Sequence, residues 1–260
     1  MEIIIQKTAE EGSAVGGRIV AKLIQHKPEA VLGLATGSTP LRLYKEMIRW
    51  HKEQGLDFSK ATTFNLDEYV GLSADHYASY SRFMMENLFD ELNVPKENIH
   101  IPNGLPENLA EHCAAYEQAM VEAGGVDLQV LGIGSDGHLG FNEPTSSFAS
   151  RTRIKTLDQQ TVEDNQRFFK EGEEVPRHVI TMGLGTIVDA RTCLLFAFGE
   201  GKADAVAKMV EGPVSAMMPG SILQFHRDAR IVLDEAAASK LVKADYYKWV
   251  YGNKPEWQQY

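Results

Sequence analysis

The chain has 260 residues, of which 43% are hydrophobic and 24% are charged, a composition typical of a folded globular protein. Its formal net charge of -10 disfavours a broad basic surface, so we expect no nucleic-acid partner. No apolar run is long enough to cross a bilayer and the first residues lack a signal-peptide pattern, which predicts a cytoplasmic protein with no membrane partner. The two cysteines, Cys113 and Cys193, indicate reduced, buried thiols.

Predicted helices and strands alternate along the chain. A capping box at Thr8 predicts a first helix that ends before Pro28. The apolar run at residues 30–35 predicts a strand buried on both faces, and Pro40 suits the first turn of the helix that follows. Further helices are predicted at about 79–91 and 106–123, and further strands at 62–66, near 99–101, and at 127–133, 151–156, 178–182, 192–198 and 229–234.

This alternation predicts an α/β fold with an open, mostly parallel sheet flanked by helices, formed as a single domain over residues 1–260. In such sheets ligands bind beyond the carboxyl ends of the strands. The turns that follow strands are therefore the places where catalytic and binding residues are expected.

The first such turn joins a strand to a helix at residues 36–39 and consists of Thr36, Gly37, Ser38 and Thr39. Its backbone N–H groups, its hydroxyls and the helix N-terminus form a potential phosphate site. An ordinary connection in which Thr39 caps the helix is an equally good interpretation of the same residues.

The second turn carries two adjacent acids, Asp67 and Glu68, at a strand end. A carboxylate flanked by apolar residues has a raised pKa and suits proton abstraction. A solvated turn that caps the next helix is the structural alternative.

The densest motif is the glycine-rich loop at residues 132–144, which carries Asp136, His138 and Glu143. It contains a G-x-G-x-x-G pattern, but later glycine and proline residues prevent the helix that a dinucleotide site requires. A carboxylate beside a histidine fixes its tautomer and suits a proton shuttle at a sugar ring oxygen. Metal binding and a loop of mutually satisfied polar groups are the alternatives; we expect no metal and no cofactor.

Basic residues supply candidate anion contacts. Arg151, Arg153 and Lys155 alternate as on one face of a strand, while Arg167 lies in a helical segment and Lys202 lies near a helix start. A lysine at a helix start opposes the helix dipole, which favours an anion contact for Lys202. A solvated surface is the alternative for each of them.

Four motifs, at residues 33–40, 64–69, 132–144 and 150–153, together resemble the glucosamine-6-phosphate deaminases, and the resemblance runs in order from about residue 1 to 235. The first motif is shared with 6-phosphogluconolactonases, whereas the second and third together favour the deaminases. The resemblance implies a modified Rossmann-like fold and conversion of glucosamine 6-phosphate and water to fructose 6-phosphate and ammonium. The substrate is then a small amino-sugar phosphate.

The resemblance also implies roles for individual residues. Asp67 matches the base that moves a proton from C2 to C1, and His138 matches the acid–base that opens the ring. Asp136 and Glu143 match its carboxylate partners. Residues 36–39 with Arg167 and Lys202 match the phosphate site.

Some members of the family are hexamers that are activated by N-acetylglucosamine 6-phosphate between subunits. The residues that match this allosteric site are Ser146, Arg153, Lys155 and Thr156. The resemblance therefore implies a homo-oligomer, with a hexamer as one form. An isomerase or lactonase acting on another sugar phosphate and a sugar-phosphate sensor are the alternatives, and ammonium release separates the deaminase from all of them.

Overall fold

The structure is a computed structural model that describes residues 1–260 except for the side chains of Gln160 and Asp164. The strands are β1 (Glu2–Gln6), β2 (Val31–Leu34), β3 (Thr62–Asn65), β4 (Asp67–Tyr69), β5 (Ile99–His100), β6 (Leu128–Leu131), β7 (Arg153–Thr156), β8 (His178–Thr181), β9 (Thr192–Ala197) and β10 (Ala229–Asp234). The α-helices are α1 (Ala9–His26), α2 (Ser38–Gln54), α3 (Tyr80–Asn87), α4 (Leu109–Glu122), α5 (Gln159–Asn165), α6 (Leu184–Val188), α7 (Ala203–Glu211) and α8 (Ala244–Gly252). Short 3-10 helices span Phe89–Glu91, Lys96–Asn98, Gln166–Phe168, Glu200–Lys202, Pro219–Phe225 and Glu256–Gln258.

Across residues 1–260 the main sheet has seven parallel strands in the order β1-β10-β9-β6-β2-β3-β5. Every residue of β2 and β6 is buried. Helices cover both faces of the sheet: α1 and α2 pack on one, and α4 and α7 on the other. The predicted α/β fold with an open, mostly parallel sheet is confirmed, and burial on both faces explains why its central strands lack polar alternation.

A second sheet is antiparallel, with the strand order β4-β8-β7. The strands predicted at 151–156 and 178–182 both belong to this smaller sheet. β7 begins two residues later than predicted, because the backbone N–H of Thr152 and the guanidinium of Arg151 turn instead to Glu117 of α4. The prediction of three cations on one strand face is therefore wrong, since Arg151 lies outside the strand.

The predicted helices form with shorter bounds. Thr8 caps α1 by accepting a hydrogen bond of 3.1 Å from the Glu11 backbone, as the capping box indicates. The helix predicted at 79–91 divides into α3 and the 3-10 turn Phe89–Glu91. Among the described residues no helix is both long and apolar enough to span a membrane.

Candidate active site

Four adjacent strands of the main sheet, in the order β9-β6-β2-β3, bring the candidate residues to one edge. The turn at residues 36–39 follows β2, Asp67 follows β3, the loop at 132–144 follows β6, and Lys202 follows β9. Because parallel strands end at the same edge, segments far apart in the sequence meet there.

Asp67 is the first residue of β4 and lies opposite Thr181 of β8. It is only 5% exposed, and among the described residues it accepts no hydrogen bond and pairs with no cation. Burial, reinforced by the negative charge of Glu68, raises the pKa of Asp67 to about 8. A carboxyl group with this pKa is suited to exchange a proton near neutral pH.

The neighbouring Glu68 has a structural role. Its buried carboxylate accepts hydrogen bonds from the backbone N–H groups of Tyr69, Tyr80 and Ser81, at 2.9, 3.0 and 2.9 Å, and from the Ser79 hydroxyl at 2.9 Å. Burial raises the pKa of Glu68, although these hydrogen bonds oppose the rise. Glu68 thus fixes the start of α3, which leaves Asp67 as the carboxyl group available for chemistry.

The second chemical group is the Asp136–His138 pair on the loop after β6. Asp136 Oδ1 lies 2.6 Å from His138 Nδ1 and accepts the His138 backbone N–H at 3.2 Å. Burial raises the pKa of Asp136, but the hydrogen bonds and charge of His138 outweigh it and hold that pKa below its usual value. The imidazole is 29% exposed, so its other nitrogen is available for proton transfer.

The loop is attached beside Asp67. Asn142 Nδ2 donates to the Met182 carbonyl at 2.7 Å, and the Phe141 N–H donates to Thr181 Oγ1 at 3.2 Å. A Cβ atom built on Gly140 would lie 3.4 Å from Asp67 Oδ2, so the loop backbone runs against the carboxyl group. The structure therefore brings Asp67 and the His138 loop together.

Glu143 has other partners. Its Oε1 atom accepts hydrogen bonds from the Asp158 backbone N–H at 3.0 Å and from Thr161 Oγ1 at 3.1 Å. Within the described contacts it does not reach His138. Glu143 instead links the end of the loop to α5, and the 3-10 helix that follows α5 carries Arg167.

The start of α2 has the features of an anion site. Gly37 precedes the helix without a side-chain cap, and the first turn contains no acidic residue. Thr8, Ser79 and Asn108 cap α1, α3 and α4 through their side chains. The first N–H groups of α2, with the hydroxyls of Ser38 and Thr39 and the partly buried Thr36, can therefore bind a phosphate.

Two further candidate residues, Lys202 and Arg167, are cations. Burial lowers the pKa of Lys202; the charge of Asp136 opposes that shift, and the charge of Arg167 adds to it. Lys202 therefore lies within electrostatic range of both residues. Among the described side chains, no carboxylate lies within 4.0 Å of Lys202 or Arg167. Cations without a protein counter-ion indicate an anionic ligand.

Only two of the four residues of the predicted allosteric site lie on the same face of a strand. Arg153 and Lys155 lie on the partly buried face of β7, whereas Thr156 lies on the exposed face. Ser146 is buried, and its Oγ atom has no hydrogen-bond partner among the described residues. Burial lowers the pKa of Arg153.

The sequence analysis did not single out the two residues that hold the loop beside Asp67, Thr181 and Asn142. Thr181 lies within the strand predicted at 178–182 and Asn142 lies within the motif at 132–144, and these positions are the indications that the sequence offered. Among the described residues there is no group of three or more His, Cys, Asp or Glu side chains arranged to hold a metal ion.

Comparison with known proteins agrees with this geometry. The family model for glucosamine-6-phosphate isomerases and 6-phosphogluconolactonases matches residues 6–232. A glucosamine-6-phosphate deaminase of Rhodococcus jostii is 51% identical over 100% of both chains, and one of Hahella chejuensis is 53% identical over 96% of this chain and 95% of the relative.

A solved structure described as a monomeric glucosamine-6-phosphate deaminase superposes with a TM-score of 0.90 at 43% identity, covering 92% of this chain and 100% of that chain. Sequence and fold therefore agree over nearly the whole length. The chain belongs to the family of glucosamine-6-phosphate isomerases and 6-phosphogluconolactonases, among its glucosamine-6-phosphate deaminases.

Proposed function

We propose that this chain converts D-glucosamine 6-phosphate and water to D-fructose 6-phosphate and ammonium, as a cytoplasmic enzyme whose catalytic domain spans residues 1–260. The observation that carries the proposal is Asp67, a buried carboxyl group without a hydrogen-bond partner among the described residues, beside the loop of the Asp136–His138 pair. The deaminase relatives, which match nearly the whole chain, support it.

The reaction begins with ring opening at His138. The imidazole delivers a proton to the ring oxygen and the C1 hydroxyl loses one, which yields the open-chain aldehyde. Asp136 Oδ1 lies 2.6 Å from Nδ1, so Nε2 is the nitrogen that faces the sugar.

Asp67 then moves a proton from C2 to C1. The ammonium group on C2 acidifies the neighbouring C–H bond, and its positive charge favours the ionised form of Asp67. Removal of the C2 proton, with transfer of one ammonium proton to the C1 oxygen, gives a neutral enolamine, and return of the proton to C1 gives a protonated ketimine. Water adds to the ketimine carbon, and ammonia leaves with a proton as ammonium, so the atoms and charges balance.

Residues 36–39, Arg167 and Lys202 are proposed to bind the phosphate. The N-terminus of α2 supplies N–H donors and the two cations supply charge-assisted hydrogen bonds. The flexible open-chain intermediate is thereby held at one end, with its C2 proton directed towards Asp67.

Assembly and regulation are separate proposals. The sequence predicts a homo-oligomer, with a hexamer as one form, and activation by N-acetylglucosamine 6-phosphate at Ser146, Arg153, Lys155 and Thr156. The solved relative is described as monomeric, which favours a monomer for this chain instead. Light scattering after size-exclusion chromatography measures the assembly. Velocity curves that are hyperbolic and unchanged by the acetylated sugar phosphate would reject the allosteric site.

The proposed reaction is tested by incubating chelator-treated protein with glucosamine 6-phosphate and measuring both products. We expect ammonium and fructose 6-phosphate to appear in equal amounts. A sugar phosphate product without ammonium would identify an isomerase or a lactonase. Absence of product, with protection from thermal unfolding by the same ligand, would identify a sensor.

A further inference from the structure

The Asp136–His138 pair lies on a loop without regular secondary structure. Within the loop, the Gly134 N–H donates to the His138 carbonyl at 3.0 Å, and the Gly137 N–H donates to the Gly134 carbonyl at 3.1 Å. These bonds shape the turn but do not attach it to the rest of the protein. A proton relay needs its members held to a fraction of an ångström, so a further contact must anchor the turn.

A second turn, at residues 215–218, provides that contact and is itself rigid. The Met218 N–H donates to the Ser215 carbonyl at 2.9 Å. The fully buried Ser221 hydroxyl accepts a hydrogen bond from the Ser215 N–H at 2.9 Å and donates one to the Ser215 carbonyl at 3.1 Å. We call residues 215–220 the clamp segment.

The clamp segment contacts the loop at 132–144 near one end and the residue that follows that loop near the other. Gly220 N–H donates to the Gly137 carbonyl at 2.8 Å, and the Thr145 N–H donates to the Ala216 carbonyl at 2.8 Å. Thr145 has a φ of 77°, an unfavourable conformation for a residue with a side chain, and the bond to Ala216 holds it there.

The closest contact is between Met218 and Gly137, the residue between the acid and the histidine. Gly137 has a φ of 88°, and a Cβ atom built on it would overlap Met218 Sδ. The thioether thus occupies the space in which any side chain at 137 would lie, and it packs on the backbone that joins Asp136 to His138.

We propose that Met218 is a positioning residue for the Asp136–His138 pair, acting through the backbone of Gly137. The inference rests on the proposed function, because it assigns the pair to proton transfer. Met218 is not a catalytic residue, since its contact is with the loop. Its loss is expected to let the imidazole move relative to Asp136 while the phosphate site stays intact.

The test compares Met218→Ala with Met120→Ala, a matched control that removes a buried methionine of α4, which carries none of the proposed catalytic residues. We expect Met218→Ala to lower kcat about 10- to 100-fold with KM within about twofold. Met218→Leu, which keeps the apolar volume, should recover most of the loss. Met120→Ala should leave kcat within about twofold.

A readout independent of substrate is the NMR signal of the His138 Nδ1 proton, assigned by its loss in His138→Asn. The signal should move or broaden in Met218→Ala and stay unchanged in Met120→Ala. If the wild-type protein is inactive but Met218→Ala still changes this signal, the proposed function fails while the positioning role of Met218 stands. An unchanged signal and unchanged kcat in Met218→Ala would overturn the inference.

Should Met218→Ala fail to fold, Gly137→Ala and the Gly137→Ala/Met218→Leu double variant provide a second test. With Met218 in place, the methyl group added by Gly137→Ala collides with the thioether. Met218→Leu replaces the thioether with a branched apolar side chain, which fills the space beside residue 137 differently. Under the proposal the effects of the two substitutions on kcat are non-additive, because the residues are in contact. Additive effects would overturn it.

Discussion

Asp67 and Asp127 are equally buried, each 5% exposed, but they lie at opposite edges of the main sheet. Asp127, at the amino edge, pairs with Lys27 at 2.8 Å and Arg191 at 3.1 Å, and accepts the Val31 N–H at 2.8 Å. Asp67, at the carboxyl edge, has no such partner among the described residues. A buried carboxylate is costly unless it is paired, so the paired residue stabilises the fold and the unpaired one indicates function.

The sharpest test of this contrast exchanges each aspartate for asparagine. Asp67→Asn is expected to lower kcat by a factor of about 10² to 10⁴, because a general base is lost. Asp127→Asn is expected to keep kcat near wild type and to lower the free energy of unfolding by about 1–3 kcal/mol, since charge-assisted bonds are lost. Steady-state kinetics and urea unfolding of both variants measure the two effects. Similar effects of the two substitutions on kcat would contradict the distinction.

The pH dependence of stability sharpens the same contrast. In the unfolded chain the Asp67 carboxyl ionises near pH 4, whereas in the folded protein it keeps its proton up to about pH 8. Between these values the folded state binds the extra proton, so this group makes the free energy of unfolding fall as pH rises. The loss at pH 7 is about 4 kcal/mol, from about 1.4 kcal/mol for each of about three units.

Asp67→Asn removes this titration. The free energy of unfolding of the variant minus that of wild type should therefore increase by about 4 kcal/mol between pH 4 and pH 7. Urea unfolding at several pH values measures the difference, and taking it between the two proteins cancels the titration of other groups. Parallel curves for the two proteins would show that Asp67 is ionised in the folded state.

The central strands, the turn at Gly37 and the glycine-rich loop could all be predicted from sequence, because each depends on a local pattern. β4 could not be predicted, because it has three residues and pairs with β8, more than a hundred residues later. The different fates of Asp67 and Glu68 also depend on distant partners. Glu68 meets the start of α3, whereas the Asp67 carboxyl lies beside the loop at Gly140.

The starts of α7 and α1 provide a smaller comparison. Thr8 caps α1 through its hydroxyl, whereas Lys202, a residue of the proposed phosphate site, precedes α7 without a side-chain cap. Lys202→Met is expected to raise KM about 10- to 100-fold, because one charge-assisted hydrogen bond to the phosphate is lost. Thr8→Ala should lower stability by about 1 kcal/mol without changing KM. An unchanged KM in Lys202→Met would place the phosphate elsewhere.

The smallest expected effect concerns the state of Asp67 before and after substrate binds. In the free enzyme the carboxyl is protonated below about pH 8, so kcat/KM should fall as pH decreases below that value. In the complex the C2 ammonium lies beside the carboxyl, and an opposite charge at that distance lowers the pKa by about 1–3 units. The acid limb of kcat should therefore lie at lower pH than the acid limb of kcat/KM. Rate profiles from about pH 5 to 9 measure both limbs. Coincident limbs would mean that the substrate cation is not next to Asp67, and the lack of a partner that distinguishes this carboxyl from Asp127 would then have no counterpart in catalysis.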